Sequence, residues 1–418
     1  MAAQHVPILA QPTIASLDDA RSHVASQALT SSPIGRVGLE LEFHVVDLAR
    51  PQRQVAWEQL TRLRSTLSVM PGGSRVTVEP GGQLELSTPP AADVAGAIAA
   101  LRRDRDVLAA AARTAGLGLA SVGADPARAV RRLNPADRYA AMEAHFDAVG
   151  CGVAGRAMMS ATAALQVNVN AGPPAGWSRR LRRLELLGPV LVAVSACSPL
   201  LAGRASGWRS MRQQVWGDLD TRRCGPLTGG AEPADAWAWY ALAAPVMLVR
   251  DPVEGAAVPV TGRVPFCDWV GGAPSLSRRP TLEDLDYHLS TLFPPVRPRG
   301  FLEIRCLDAV PNRWWPALAA LTVMLIDDER AADLAEDACA PVAGRWAVAA
   351  RDGLGDPVVG LAARQCMQIA AEHCTQELRP QVEAYAEMVS RGRTPGDELR
   401  ELAAVAGPLA ILEEEAHA

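Results

Sequence analysis

In the run Gly38-Leu39-Glu40-Leu41-Glu42-Phe43-His44, apolar residues alternate with polar ones. As a strand, this puts Glu40, Glu42 and His44 on one face, with neighbouring carboxylates roughly 6 to 7 Å apart. Adjacent acids repel and lose hydration unless they are solvated, protonated or neutralised by a cation, and glutamate oxygens are the hard ligands that Mg2+ takes. The segment Val78-Glu79-Pro80-Gly81-Gly82-Gln83-Leu84-Glu85-Leu86-Ser87 repeats the pattern, with a Pro-Gly-Gly turn leading into a strand whose Gln83, Glu85 and Ser87 share a side. For either segment alone two readings stay open: a cation site, or the solvated face of an antiparallel sheet, where alternating glutamate is ordinary.

Two more strand-like segments carry polar faces. Ala163 to Asn170 presents Gln166, Asn168 and Asn170 on one side, and Gly300-Phe301-Leu302-Glu303-Ile304-Arg305 presents Glu303 and Arg305. If these faces converge, a curved antiparallel sheet would hold Mg2+ and nucleotide phosphates on carboxylates and amides. The Arg-rich stretch from Gly203 to Gly225 lacks clear periodicity, as functional loops often do. His145, on an expected helix, reads as a satisfied histidine, and His44 as a partner of the acids from behind. The Trp314-Trp315 pair, Trp237 and Trp239 read as packing.

Positioning these groups requires the following elements. A capped helix is expected over Ser16 to about Leu29, a strand over 36 to 47, a helix over 55 to 68, and a strand pair at 74 to 79 and 83 to 88. An Ala-rich helix over 91 to 115 ends at Gly116, followed by a short strand at 117 to 122. Asn134-Pro135 opens a helix to about Val149, and another runs from about Ser178 to Ala196. Short strands and turns fill 245 to 275, a helix lies near 281 to 291, and from Pro311 the pattern is helical, with helices on the outside of the sheet or forming a subunit contact.

The 418 residues are 49% hydrophobic and 21% charged, with a net charge of -5. That balance favours neither a nucleic-acid partner nor an anionic membrane surface. Met1 to Pro12 lacks a basic start and apolar core, and no apolar run reaches the eighteen or so residues of a spanning helix, so a cytoplasmic protein is expected. Eight cysteines without a CxxC pair argue against a zinc cluster or a dense disulfide framework, and Cys224 and Cys306 read as structural despite arginine neighbours. All 41 basic residues are arginine. With no lysine, a Walker P-loop, a protein-kinase site and Schiff-base chemistry are excluded, and phosphate contacts fall to arginine forks, backbone amides and metal. No GxSxG elbow appears.

Taken in order, GLELEFH, VEPGGQLELS, LQVNVN, SMRQQVWGDLDTRR and FLEIRCLDAVP resemble the plant-type glutamate-cysteine ligase family, most closely its actinobacterial members that supply gamma-glutamylcysteine for ergothioneine synthesis. The resemblance covers about residues 35 to 315. It implies an α+β fold, the curved antiparallel cradle of the glutamine synthetase-like superfamily with helices packed outside. A single catalytic domain over 1-418 is expected, its sheet core at about 35-310 and a helical C-terminal part at about 316-418. The implied reaction joins L-glutamate to L-cysteine with ATP and Mg2+ through gamma-glutamyl phosphate. The resemblance further implies Glu40, Glu42, Glu85 and Glu303 as metal ligands, with Glu79 less defined, and Gln166, Asn168 and Asn170 as orienting groups. Arg305 and Arg223 are implied as catalytic, and Arg209, Arg212 and Trp216 as substrate or ATP contacts, with Arg204 and Arg222 solvated. Arg297 and Arg299 face the nucleotide or the surface. Gly217 after Trp216, and Cys306 after Arg305, depart from the family pattern and leave the acceptor pocket unplaced. A ligase for another amine, a non-catalytic ATP- or Mg-binding regulator and a metal-dependent hydrolase are the alternatives.

Overall fold

Val37–Asp47 (β1) is the central strand: its odd positions Leu39, Leu41 and Phe43 are at most 1% exposed, while Glu40 and Glu42 on the opposite face are half-buried. The computed structural model describes residues 12–227, 232–251 and 253–418. The reading of residues 1–11 as lacking a leader therefore lies outside the described residues, as does position 252 within the expected short strands. Around β1 the sheet adds Arg75–Val78 (β2), Leu84–Ser87 (β3), Leu117–Ala120 (β4), Ala164–Val169 (β5), Val296–Pro298 (β6) and Leu302–Asp308 (β7). The order is β6-β7-β5-β1-β3-β2, all antiparallel, and β4 pairs with the second half of β1. Each expected strand of the polar-faced set is present.

The apolar face carries Leu39, Leu41, Leu84, Leu86, Leu165, Val167, Val169, Leu302 and Ile304, each buried. Burying each such side chain contributes about 1.5–3 kcal/mol, which offsets the cost of the acids opposite. Helices Val94–Thr114, Trp177–Ser195 and Trp315–Asp327 cover it, packing on β1, β7 and β5 respectively. Trp315–Asp327 lies on the sheet, as expected, and is itself covered by further helices. It is buried on nearly every side, because helices Glu329–Cys339, Pro357–His373 and Arg379–Ser390 pack against it in turn. The helix is apolar around its whole circumference, as a core helix must be, whereas an outer helix would be amphipathic. One hydrophobic cluster includes side chains from Ile14 to Ile411.

The sequence reading missed a helix at Gly152–Ala161 and two short ones, Met211–Gly217 and Thr221–Cys224, inside the Arg-rich stretch. The last two start at capping side chains: Ser210 accepts from the Gln213 amide and Asp220 from the Arg222 amide. The turn between β2 and β3 needs its glycines. Gly82 has φ +86°, and a Cβ on Gly81 would lie 2.1 Å from the Ser160 carbonyl oxygen.

Candidate active site

Strand register assembles the polar face in rows. Arg297 of β6 lies opposite Glu303 of β7, which lies opposite Asn168 of β5 and then Gly38 of β1. In the next row Gln166, Glu40 and Ser87 are opposite one another, and beyond them Glu42 pairs with Glu85 and Glu85 with Thr77. Glu79 enters from the β2–β3 turn. Residues separated by more than 250 positions thus share one surface because the sheet is antiparallel and side chains alternate.

The acids crowd at the β1–β3 side. Burial, then Glu85 and Glu303, lifts the Glu40 carboxyl to about 7. Burial and Glu85 do the same for Glu42, and burial with Glu85, Glu42 and Glu40 lifts Glu79 to about 8. Neutral donors hold three of them in place: Asn168 Nδ2 donates to Glu40 at 3.0 Å, the Ala164 amide to Glu42 at 2.8 Å, and the Thr77 and Ser87 hydroxyls to Glu85 at 3.0 and 2.8 Å. Tyr139, which the sequence reading missed, stands beside Glu79. Burial and then Glu79 raise its phenol to about 12. Among the described residues, no three His, Cys, Asp or Glu side chains are arranged as they stand to grip a metal ion. The donor set nonetheless fits a hard cation: oxygen ligands in excess negative charge, bordered by a buried Asn168 Oδ1 with no partner.

The opposite side of the face is basic. Glu303, expected among the metal ligands, has both carboxylate oxygens on guanidinium groups: Arg297 Nε and Nη2 donate at 2.5 and 3.0 Å, and Arg305 Nη1 lies 3.2 Å away. Burial opposes its ionisation, but Arg305 and Arg297 outweigh it and hold the carboxyl down at about 2. Arg305 also donates to Gln166 Oε1 at 2.6 Å. Arg299 is largely exposed, 4.0 Å from Glu303. The Arg297 partnership is written in the hairpin Arg297-Pro298-Arg299-Gly300, where Gly300 at φ +77° turns the chain and sets Arg297 opposite Glu303.

A β-bulge interrupts β7: Ile304 pairs with Val167 but Leu307 with Leu165, so Arg305 and Cys306 together face one residue of β5. The 211–217 helix takes the carbonyls at this bulge. Arg212 Nη2 donates to the Arg305 carbonyl and Gln213 Nε2 to that of Cys306, both at 2.8 Å. A cavity of about 20 Å3 lies here, lined by Arg212, Trp216, Phe293 and Arg305 among others. Around it Arg212 Nη1, Trp216 Nε1 and Arg305 Nε are all buried donors without a hydrogen-bond acceptor, Arg212 Nη1 lying 3.9 Å from Asp308 Oδ1 as an ion pair. Asn170, just past β5, has its Oδ1 buried and unpartnered, and its carbonyl accepts from Arg180.

Two expected arginines are elsewhere. Arg223, expected as catalytic, is 1% exposed and donates to the Thr291 carbonyl and hydroxyl and to the Pro245 carbonyl, so its donors are spent on holding loops together. Arg209, expected at the substrate, pairs with Asp397 at 2.6 Å on the C-terminal helices. Arg222 bridges to Asp220 at the surface and Arg204 is exposed. His44 is buried beside Asp125 and Arg128, and burial holds it neutral at about 4. His145 is a core histidine on the Val260 carbonyl. Cys224 and Cys306 are buried thiols pushed up to about 12, burial outweighing the arginines beside them. Trp315 and Trp237 are buried packing residues, while Trp239 is half exposed.

The antiparallel face carries acids on one half and arginines with unfilled donors on the other, a charge arrangement suited to an anionic substrate. Comparison with known proteins gives the family. The glutamate-cysteine ligase family 2 (GCS2) matches residues 36–416. Glutamate-cysteine ligase EgtA of Mycobacterium tuberculosis is 52% identical over 382 residues, covering 91% of this chain and 88% of that protein. The EgtA of Mycolicibacterium smegmatis is 48% identical over 402 residues, covering 96% and 94%. The chloroplastic glutamate-cysteine ligase of Nicotiana tabacum is 30% identical over 280 residues, covering 65% of this chain and 53% of its own. The crystal structure of Francisella tularensis glutamate-cysteine ligase in complex with AMP superposes with a TM-score of 0.57 at 13% identity, covering 93% of this chain and 88% of that one, which shows a shared fold. The chain belongs to the glutamate-cysteine ligase family 2, and it is a ligase that forms gamma-glutamylcysteine.

Proposed function

We propose that the chain joins the gamma-carboxylate of L-glutamate to the amine of L-cysteine with ATP and Mg2+, through gamma-glutamyl phosphate. The observation that carries this reading is the position of Arg305 on the boundary of the two halves of the face. It touches Gln166 and Glu303 among the polar row, its Nε is a buried donor without an acceptor, and it lines a cavity with Arg212 and Trp216. A glutamate carboxylate and a triphosphate repel one another, so positive charge must flank both before the oxygen can approach phosphorus in line.

In this reading Arg305 stabilises charge on the transferring phosphoryl group. Arg212 and Trp216 offer donors to substrate carboxylate or phosphate oxygens, and Gln166, Asn168 and Asn170 orient the substrates. Glu40, Glu42 and Glu85, with Glu79 beside them, would hold Mg2+. Glu303 would join them only by yielding a contact with Arg297 or Arg305. Bound Mg2+ supplies the neutralising charge that the phosphates need. The carboxylate oxygen attacks the gamma-phosphorus and ADP leaves; the cysteine amine then attacks the acyl carbon, phosphate leaves, and the nitrogen loses a proton as the amide forms. The AMP held by the Francisella ligase supports a nucleotide here. The resemblance to actinobacterial members supports a role in ergothioneine biosynthesis, in the cytoplasm. Among the described residues, no helix is long and apolar enough to cross a membrane.

The test is ADP and phosphate release by purified enzyme with ATP, Mg2+ and L-glutamate, comparing L-cysteine, L-serine, other amines and no acceptor, with products weighed by mass. Cysteine-dependent release with gamma-glutamylcysteine formed is expected. Release with a different amine moves the assignment to that acceptor, and product without ATP overturns the acyl-phosphate route.

A further inference from the structure

A cavity of about 10 Å3 adjoins the turn that carries Glu79. Its lining includes His44 of β1, Gln83 at the entry to β3, Ser160 on the 152–161 helix, and the Asp125–Arg128 pair. The charged pair is fully engaged: Asp125 accepts from the Ala127 and Arg128 amides and from Arg128 Nε, and Arg128 Nη1 donates to the Val45 carbonyl. Three polar atoms of the other lining residues are not. His44 Nε2, Gln83 Oε1 and Ser160 Oγ are each buried without a hydrogen-bond partner. Leaving such a group unpaired is costly, and three around one small polar space is what a trapped water resolves.

We propose that a single water molecule occupies this cavity and ties the Glu79 turn to β1. The donor and acceptor roles balance. Gln83 Nε2 donates to the Thr162 carbonyl at 2.8 Å, which turns Oε1 to the cavity as an acceptor. The ring of His44 bonds the Val122 backbone, which leaves Nε2 as a second acceptor. The water donates to both and accepts from the Ser160 hydroxyl. Such a water needs two to four polar partners and roughly 10–15 Å3, and this cavity supplies three partners at the lower edge of that volume.

The consequence for the active site follows from the turn. The Glu79 amide donates to the Gln83 carbonyl at 2.8 Å, and the Gly82 amide to the Glu79 carbonyl at 2.9 Å. From outside, the Pro80 carbonyl accepts from the Leu133 and Asn134 amides. The water is the corresponding tie from inside, fixing Glu79 relative to Glu42, which lies two residues before His44. His44, Gln83 and Ser160 are therefore positioning residues for the acidic cluster. This second step rests on the proposed cation site; the water itself does not.

A high-resolution crystal structure tests the water directly, and isothermal titration of Mg2+ into substrate-free Ser160→Ala and Gln83→Met enzymes tests the positioning. Expected are one ordered water bonded to all three atoms, and roughly tenfold weaker Mg2+ binding in both variants, with the KM for glutamate unchanged. An empty cavity, or one closed by direct bonds among the three side chains, overturns the proposal. A water present but Mg2+ binding at the wild-type level in both variants overturns the positioning role, provided Glu42→Gln weakens binding in parallel. If Glu42→Gln also binds Mg2+ normally, the cation reading of the face fails instead. Ser160→Ala removes one hydroxyl only, so the experiment survives a Gln83→Met enzyme that does not fold.

Discussion

Glu42→Gln should stabilise the metal-free enzyme at neutral pH, a direction opposite to that expected of most buried substitutions. The Glu42 carboxyl sits at about 7 in the fold, against an ordinary 4.5, because burial and Glu85 disfavour its charge. Between those two pH values the folded state binds more protons than the unfolded chain, so stability falls as pH rises and is flat above about 7. At about 1.4 kcal/mol per pH unit, the loss approaches roughly 3 kcal/mol by pH 8. A glutamine keeps an oxygen to accept from the Ala164 amide, so the local bond survives. Urea unfolding of wild type and variant in EDTA, at intervals from pH 4.5 to 8, reads the contribution of this carboxyl together with the relief of Glu79, which Glu42 helps to raise; titrations far from the face cancel in the difference. The two enzymes should match near pH 4.5, and the variant should be more stable by up to about 3 kcal/mol at pH 8. Added Mg2+ should restore the wild type and not the variant. A difference that does not change with pH, or a variant less stable at pH 8, refutes the argument that burial and the neighbouring Glu85 disfavour the charge on Glu42.

Other perturbations bear on the same face. Mg2+ binding near pH 6.5 should release protons, because Glu40, Glu42 and Glu79 are lifted to about 7, 7 and 8 and must ionise to bind; calorimetry in buffers of different ionisation enthalpy reads the number. Arg305→Lys keeps the charge but loses the guanidinium whose Nη1 alone reaches both Gln166 and Glu303 and whose Nε stays free, and kcat should fall about 10²–10³-fold; wild-type kcat would remove Arg305 from the reaction. Arg223→Met should cost stability on the order of 3 kcal/mol by stranding buried carbonyls, while the folded fraction keeps its KM values; a raised KM with unchanged unfolding would return Arg223 to the substrate site.

The polar face is legible in the amino-acid sequence because a strand's period of two shows there directly, and Glu40, Glu42, Glu85, Gln166, Asn168 and Glu303 all lie on strands. Register is not legible, since it depends on which edges meet, and it is register that sets Arg297 against Glu303 and Glu85 against Glu42. The arginines divide for a related reason. A guanidinium is recognisable by its fork, but whether the fork is spent depends on carbonyls supplied from far away, as Thr291 and Pro245 do for Arg223. Glu79 is ambiguous because it belongs to a turn, where no periodicity says which way a side chain points. The short 211–217 helix escapes notice because seven residues show too little of a 3.6-residue period.

That short helix also controls how Arg305 is held. A β-bulge leaves carbonyls off the ladder, and an unpaired buried carbonyl is costly enough that something must cap it. Here the caps are Arg212 on the Arg305 carbonyl and Gln213 on that of Cys306. Both line the cavity, but only Arg212 has a buried donor without a hydrogen-bond acceptor there, so Gln213 is the cleaner probe of the structural task. Gln213→Leu removes the Cys306 cap while leaving every proposed catalytic group in place. The bulge should then loosen, misplacing the Arg305 guanidinium by a fraction of an ångström. Displacements of about 1 Å cost on the order of 10²-fold in rate, so a tenfold or greater fall in kcat with little change in the KM for glutamate is expected. Steady-state kinetics on variants of confirmed fold decides it: a change confined to KM would make Gln213 a substrate contact, and no change would mean that β7 holds Arg305 without help from the helix.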